Sequence, residues 1–134
     1  MNSEIGFGQR VLAVLEAHDI SWEHLPSGID TLSIVLRDDV LGDRLEDLKR
    51  EIQASCAPDS IEVYPGIALI ATVGRGMSHT PGTAARLFGA LARQKINIRM
   101  IDQGSSELNI IVGVENEDFE RTVRAIYDAF AEAD

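Results

Sequence analysis

The strongest constraint on this chain is that much of it is written twice. Sliding the sequence by 76 positions lays Gly6 on Gly82, Arg10 on Arg86, Leu15 on Leu91 and Ile20 on Ile96. The same shift lays Gly28 on Gly104, Leu32 on Leu108 and Ile34 on Ile110, with no gap from Met1/Met77 through Leu36/Val112. A gapless register across a turn, a helix and two strands is the mark of duplication. Any fold must therefore accommodate two similar units.

Each copy carries its own periodicities. "GFGQRVLAVLEAH" places Val11, Leu12, Val14 and Leu15 on one helical stripe. "ISWEHL" alternates Ile20, Trp22 and His24 against Ser21, Glu23 and Leu25, as a half-buried strand does, and "PSGID" reads as a turn into the returning strand "TLSIVLR". Gly42 and Asp43 open a helix, "DRLEDLKREI", with Leu45, Leu48 and Ile52 on one face. "IEVYPGIALIATVG" reads as two β-type runs broken at Pro65-Gly66. The second copy predicts Thr80 as helix cap with Pro81 at the first helical position. "INIRMI" and "ELNIIVGV" are its paired strands, and a last helix follows Asn116 with Phe119, Val123, Ile126, Tyr127 and Phe130 inward.

The predicted class is α+β: two ferredoxin-like βαββαβ-type units side by side, antiparallel sheets with helices on one face. The boundaries are residues 1–64, lacking an opening strand, and 65–134, lacking a closing strand. The absence is read from the repeat itself. Ile67 to Val73 precedes Met77, but Met1 is already the counterpart of Met77.

Composition narrows the function. A net charge of −10, from 12 basic and 22 acidic residues, opposes nucleic-acid phosphates and anionic membranes. The lone Cys56 forms no internal disulfide, no signal-peptide pattern is present, and "IALIATV" is too short to span a bilayer. The expected location is the cytoplasm. His18, His24 and His79 do not join Cys56 at metal-ligand spacing, so neither a metal nor a cofactor is expected. No positioned pair of acids stands above the acidic background, and no catalytic residue is assigned. The glycines of "GRGMSHTPG" lack the spacing of a phosphate loop.

One turn invites a ligand. Gly6 and Gly8 stand at a helix N-terminus, where amide donors and the helix dipole favour a carboxylate and glycine keeps the approach clear. Ser21, Glu23, Ser27 and Asp30 follow on the neighbouring strand and turn, and the carboxylates suit an ammonium group. The bland alternative is a glycine turn beside solvated strand residues. Trp22 reads from its alternation as core or interface.

"VGRGMSHTPGTAARLFGALARQKINIRMIDQGSSELNIIVGVENEDFERTVRAIYDAF" resembles the C-terminal ACT domain of bacterial aspartokinases, and "GFGQRVLAVLEAHDISWEHLPSGIDTLSIVLR" resembles the ACT domain before it. The resemblance implies a regulatory region that binds an end-product amino acid, lysine or threonine, and restrains an aspartokinase catalytic domain in cis or in trans. It implies that the chain itself is not an enzyme. It implies an effector-binding set of Met1, Glu4, Gly6, Phe7, Gly8, Ser21, Trp22, Glu23, Ser27 and Asp30. A second site or interface would comprise Thr80, Pro81, Gly82, Asn97, Ile98, Met100 and Gln103. Lysine is favoured over threonine because Glu23, Asp30 and Asp102 offer carboxylates for its side-chain ammonium. A homodimer through sheet edges or adjacent helices is also expected, with Ile98 and Met100 as contacts. The competing reading is a dimerisation or protein-interaction module that has lost ligand binding.

Overall fold

Gly6 adopts φ +85°, and helix α1 (Phe7–Ala17) starts on the next residue. Seventy-six positions on, Gly82 adopts φ +87° and helix α4 (Thr83–Arg93) starts in the same way. Two further helices, α2 (Asp38–Leu41) and α3 (Leu45–Cys56), lie between them, followed by strand β1 (Ile67–Val73). After α4 come β2 (Ile98–Asp102), β3 (Asn109–Glu115), a 3-10 turn at Asn116–Asp118 and α5 (Phe119–Ala131). The computed structural model describes residues 5–74, 80–103 and 109–131. Contacts divide the chain into two units, Met1–Val63 and Tyr64–Asp134.

The duplication is visible bond by bond. Arg10 N–H donates to the Gly6 carbonyl at 3.0 Å, and Arg86 N–H to that of Gly82 at 3.0 Å. At the far ends Ile20 N–H reaches the Leu15 carbonyl at 2.9 Å, and Ile96 N–H reaches that of Leu91 at 3.0 Å. Both helices leave through a left-handed residue that is not glycine, Asp19 at φ 54° and Lys95 at φ 56°. Gly104 and Leu108 of the repeat register lie outside the described residues.

The second unit is a three-stranded antiparallel sheet in the order β1-β3-β2. Ile110, Val112 and Val114 alternate onto one face of β3 and meet Ile70, Leu87, Leu91, Ile96 and Ile126, so α4 and α5 cover that face. The strand-helix-strand-strand-helix order is the ferredoxin-like path, and no closing strand follows α5 among the described residues. Gly113 is where the opposite face packs most tightly. A Cβ there would stand 3.0 Å from Met100 Cβ and 3.1 Å from Ile67 Cγ2.

The first unit departs from the expected strands. Its predicted ribbon is reduced to one antiparallel bridge, His24 with Val35, held by Glu23 N–H to the Val35 carbonyl (2.8 Å) and Val35 N–H to that of His24 (2.9 Å). No further strand flanks this pair among the described residues, and a lone two-stranded ribbon is marginal. The alternation nevertheless survives as packing. Leu32, Ile34 and Leu36 line a core of Phe7, Val11, Val14, Leu15, Ile20, Leu48 and Cys56. The β-type run expected at Ile61–Tyr64 forms no strand.

Three helix expectations are also corrected. The second copy's first helix starts at Thr83, not Pro81; Pro81 and Gly82 make a turn closed by the Thr83 hydroxyl donating to the Thr80 carbonyl at 2.9 Å. The helix expected to open at Gly42 and Asp43 starts at Leu45, because Gly42 at φ 58° ends the short α2. In α5, Phe119, Val123 and Tyr127 face solvent at 45%, 42% and 72% exposure. Ile126 and Phe130 pack inward as expected, and the buried Thr122 joins them on that face. Thr122 can be fully buried because its hydroxyl donates to the Asp118 carbonyl at 2.7 Å.

One device recurs in both units and was not anticipated. The Arg44 guanidinium donates to the His18 carbonyl at the end of α1 (2.6 Å), to the Val40 carbonyl and, through Nε, to the Leu41 carbonyl (3.4 Å). Arg121 donates in the same way to the Gln94 carbonyl at the end of α4, while pairing with Asp118 at 2.8 Å. Each arginine thus ties the end of one helix to the start of the next. The Leu41 carbonyl also accepts from Arg44 N–H at 3.1 Å, and a cation at the helix ends opposes the negative end of the helix dipole.

Candidate functional site

The turn before α1 has the features expected of an anion seat. Phe7, Gly8 and Gln9 precede the first intrahelical bond, which begins at Arg10 N–H, and no side chain caps the helix from Gly6. Gly8 has open space where a Cβ would be, with no heavy atom within 4 Å. Gly6 serves a different purpose: its φ of +85° is a left-handed conformation that other residues adopt only under strain.

Arg10 folds back over this turn. Its Nη1 donates to the Ile5 carbonyl at 3.3 Å, and its guanidinium carbon lies 5.9 Å from the Phe7 ring centroid. A cation is therefore held beside the first-turn amides, where it would reinforce attraction for a carboxylate. Sequence reasoning did not select Arg10 as a site residue. The signal was present, because Arg10 falls on Arg86 in the repeat, although Arg86 instead lies over the Phe130 ring at 5.5 Å.

The other predicted residues are distributed as follows. Met1 and Glu4 lie outside the described residues. Phe7 is buried in the first unit's core, so its backbone rather than its ring faces the turn's surroundings. Ser21, Trp22 and Glu23 are exposed, and Ser21 and Trp22 line a groove with Leu12, Leu15 and Glu16 along the C-terminal half of α1. Ser27 accepts from Ser33 N–H at 3.1 Å and so holds the connecting turn, while Asp30 is exposed near its tip.

In the second unit Thr80, Pro81, Gly82, Asn97 and Gln103 are exposed. Ile98 packs against the core, and Met100 pairs with Gly113 on the opposite face of the sheet. Asp102, invoked for lysine, sits on β2 in this unit, whereas Glu23 and Asp30 belong to the first. His18 and His24 are half-buried, Cys56 is buried, and among the described residues no three His, Cys, Asp or Glu side chains gather to hold a metal. No helix among the described residues is long and apolar enough to cross a membrane.

Residues 70–130 match the ACT domain family model. Aspartokinase 3 of Bacillus subtilis is 41% identical over 131 residues, which is 97% of this chain and 29% of that protein. The crystal structure of Clostridium acetobutylicum aspartate kinase superposes with a TM-score of 0.95 at 52% identity, covering 98% of this chain and 30% of the other. E. coli aspartokinase III, in its T-state complex with lysine and aspartate, gives a TM-score of 0.74 at 31% identity, over 93% of this chain and 27% of its own. The chain thus spans less than a third of each of these relatives. Residues 70–130 match the ACT domain family model, and nearly the whole chain is similar to one stretch of these aspartokinases.

Proposed function

We propose that this chain senses an end-product amino acid on behalf of an aspartokinase catalytic domain, held in cis or in trans, and restrains aspartate phosphorylation when the amino acid is bound. The observation that carries this reading is the α1 turn: first-turn amides that no side chain caps among the described residues, an unobstructed Gly8 and the Arg10 guanidinium folded back beside them. The effector carboxylate would sit on those amides, as anions do at helix N-termini. Ser21, Glu23 and Asp30 would supply acceptors for its ammonium groups. Lysine ranks ahead of threonine because Glu23 and Asp30 are exposed carboxylates of the same unit, and because the related E. coli enzyme was crystallised with lysine. Binding takes place in the cytoplasm, in a homodimer paired through sheet edges or the helices beside them.

Gly8→Ala is the discriminating variant. Its Cβ enters empty space, so the fold is retained while the approach to the amides is narrowed. Calorimetric titration of the parent should show lysine, or failing that threonine, binding, and Gly8→Ala should weaken it at least about tenfold, the equivalent of ~1.4 kcal/mol. Flat titrations of the parent with lysine, threonine and methionine would refute the sensing function. Unchanged affinity in Gly8→Ala would place the carboxylate elsewhere.

The second reading, an interaction module without ligand, is favoured by the apolar stripe of Phe119, Val123 and Tyr127 left exposed on α5. Sedimentation separates the dimer from the monomer of 14.6 kDa. A dimer that forms identically with and without amino acid, beside flat titrations, would establish this reading over sensing.

A further inference from the structure

The far end of α1 carries a groove that shares Ser21 and Trp22 with the implied effector-binding set but lies away from the α1 turn. It is lined by Leu12, Leu15 and Ile20, by Ser21 and Trp22, and by the carboxylates of Glu16 and Asp19, and is an open depression of about 530 Å³. Trp22 is 45% exposed. Neither rim carboxylate has an ion-pair or hydrogen-bond partner for its side chain among the described residues. No basic residue occupies the last turn of α1, and Arg44 addresses the helix end only through the His18 carbonyl.

The duplication supplies an internal control. Under the 76-residue shift Glu16 corresponds to Ala92 and Asp19 to Lys95. Yet the backbone is the same: Asp19 N–H donates to the Glu16 carbonyl at 3.0 Å, and Lys95 N–H to that of Ala92 at 3.0 Å. The left-handed exit is the same as well, at φ 54° and 56°. This helix end therefore forms with a cation and a methyl group as readily as with two carboxylates. The acidic rim is not required by the fold.

We propose that this groove docks a basic polypeptide segment, one presenting an arginine or lysine beside apolar residues. The aliphatic stem of such a side chain would lie on Leu12, Leu15 and Ile20, and its charge would meet the Trp22 face and the two carboxylates. The groove is open to solvent, so a free amine would gain little there. A segment making further contacts along it overcomes the entropy of association. An acidic rim selects an occupant whose docking segment is basic. The groove is independent of the effector turn, which lies at the other end of α1, an 11-residue helix roughly 16 Å long at 1.5 Å per residue.

Trp22 is the only tryptophan, so its fluorescence reads the groove directly. The probe is a short capped peptide of alternating leucine and arginine, titrated against the intact chain, with a leucine–glutamate peptide and free arginine in parallel. The expected result is a saturable change with the basic peptide alone. Affinity should fall at least about tenfold in the Glu16→Ala/Asp19→Lys double variant, which removes both rim carboxylates and puts a cation in place of one. The circular dichroism of that variant should be unchanged. No saturable change, equal binding of the acidic peptide, or undiminished affinity in the double variant would each overturn the proposal. An equal response to free arginine would overturn the polypeptide assignment. None of these outcomes depends on whether Gly8→Ala alters amino-acid binding.

Discussion

Replacing Arg44 by methionine should destabilise the first unit far more than the matching change at Arg121 destabilises the second. Arg44 is half-buried and serves three carbonyls, those of His18, Val40 and Leu41. A hydrogen bond from a charged donor contributes about 1.5–3 kcal/mol, and the 3.4 Å bond to Leu41 adds little. Methionine keeps much of the stem's apolar packing but leaves helix-end carbonyls unserved, so the expected loss is about 2–4 kcal/mol. Arg121 has a side chain 51% exposed and serves one carbonyl beside its partner Asp118, which solvent reduces to about 1 kcal/mol. The aromatic residues make the assay unit-specific. The only tryptophan, Trp22, lies in the first unit, and both tyrosines, Tyr64 and Tyr127, lie in the second. Urea unfolding followed by tryptophan and by tyrosine fluorescence gives both free energies. Arg44→Lys should recover less than half of the loss, because an ammonium cannot span carbonyls arranged for a planar fork. A loss below about 0.5 kcal/mol for Arg44→Met, or equal losses for the two variants, would refute the reasoning from burial and bond number.

Gly113→Ala should cost about 1–3 kcal/mol through crowding against Met100 and Ile67, with partial recovery when combined with Ile67→Ala; urea midpoints check both. Thr122→Val should cost about 1 kcal/mol, since the buried hydroxyl's bond to the Asp118 carbonyl is lost while the shape is kept; thermal unfolding measures it. Gly82→Ala should destabilise by about 1–2 kcal/mol from its φ of +87° although its Cβ meets nothing, whereas Gly8→Ala should stabilise by about 0.5–1 kcal/mol. Opposite signs for these two alanine variants, in the same unfolding assay, would verify that conformation rather than space distinguishes the glycines.

What the sequence made legible was whatever depends on spacing along the chain. The repeat register anticipated the paired helices, whose bounds coincide under the shift because Gly6 and Gly82 impose the same left-handed start. The β-type runs anticipated the core segments: Ile110 is buried on β3, and Leu32, Ile34 and Leu36 pack inward even where no ladder formed. What it missed depends on neighbours across space. The ribbon around His24 and Val35 looked like two strands, yet strands need a flanking partner to be stable. In α5 the largest apolar residues were assigned inward, but a satisfied threonine hydroxyl let Thr122 take the buried place. At the candidate site, Gly6, Gly8 and the exposed Ser21 and Glu23 were read from the pattern. Arg10 was not, because its fold-back over the turn is a matter of rotamer. The Arg44 tie was invisible for a similar reason: its partners are carbonyls, which carry no side-chain identity to read.

The paired arginines also say something about how the two halves diverged. His18 and Gln94 are 76 residues apart, but Arg44 and Arg121 are 77 apart. The halves have therefore gained or lost a residue between Leu36/Val112, the end of the gapless register, and the arginine itself. In the first copy that stretch coils into α2 and turns at Gly42; in the second it completes β3 and passes through a 3-10 turn. Both paths deliver a guanidinium to the same carbonyl despite the slip. The connection is thus a place where chain length can drift while the helix-to-helix tie is kept. An alignment of the halves by columns would separate the two arginines by one position and hide their equivalence; superposing the helix ends restores it.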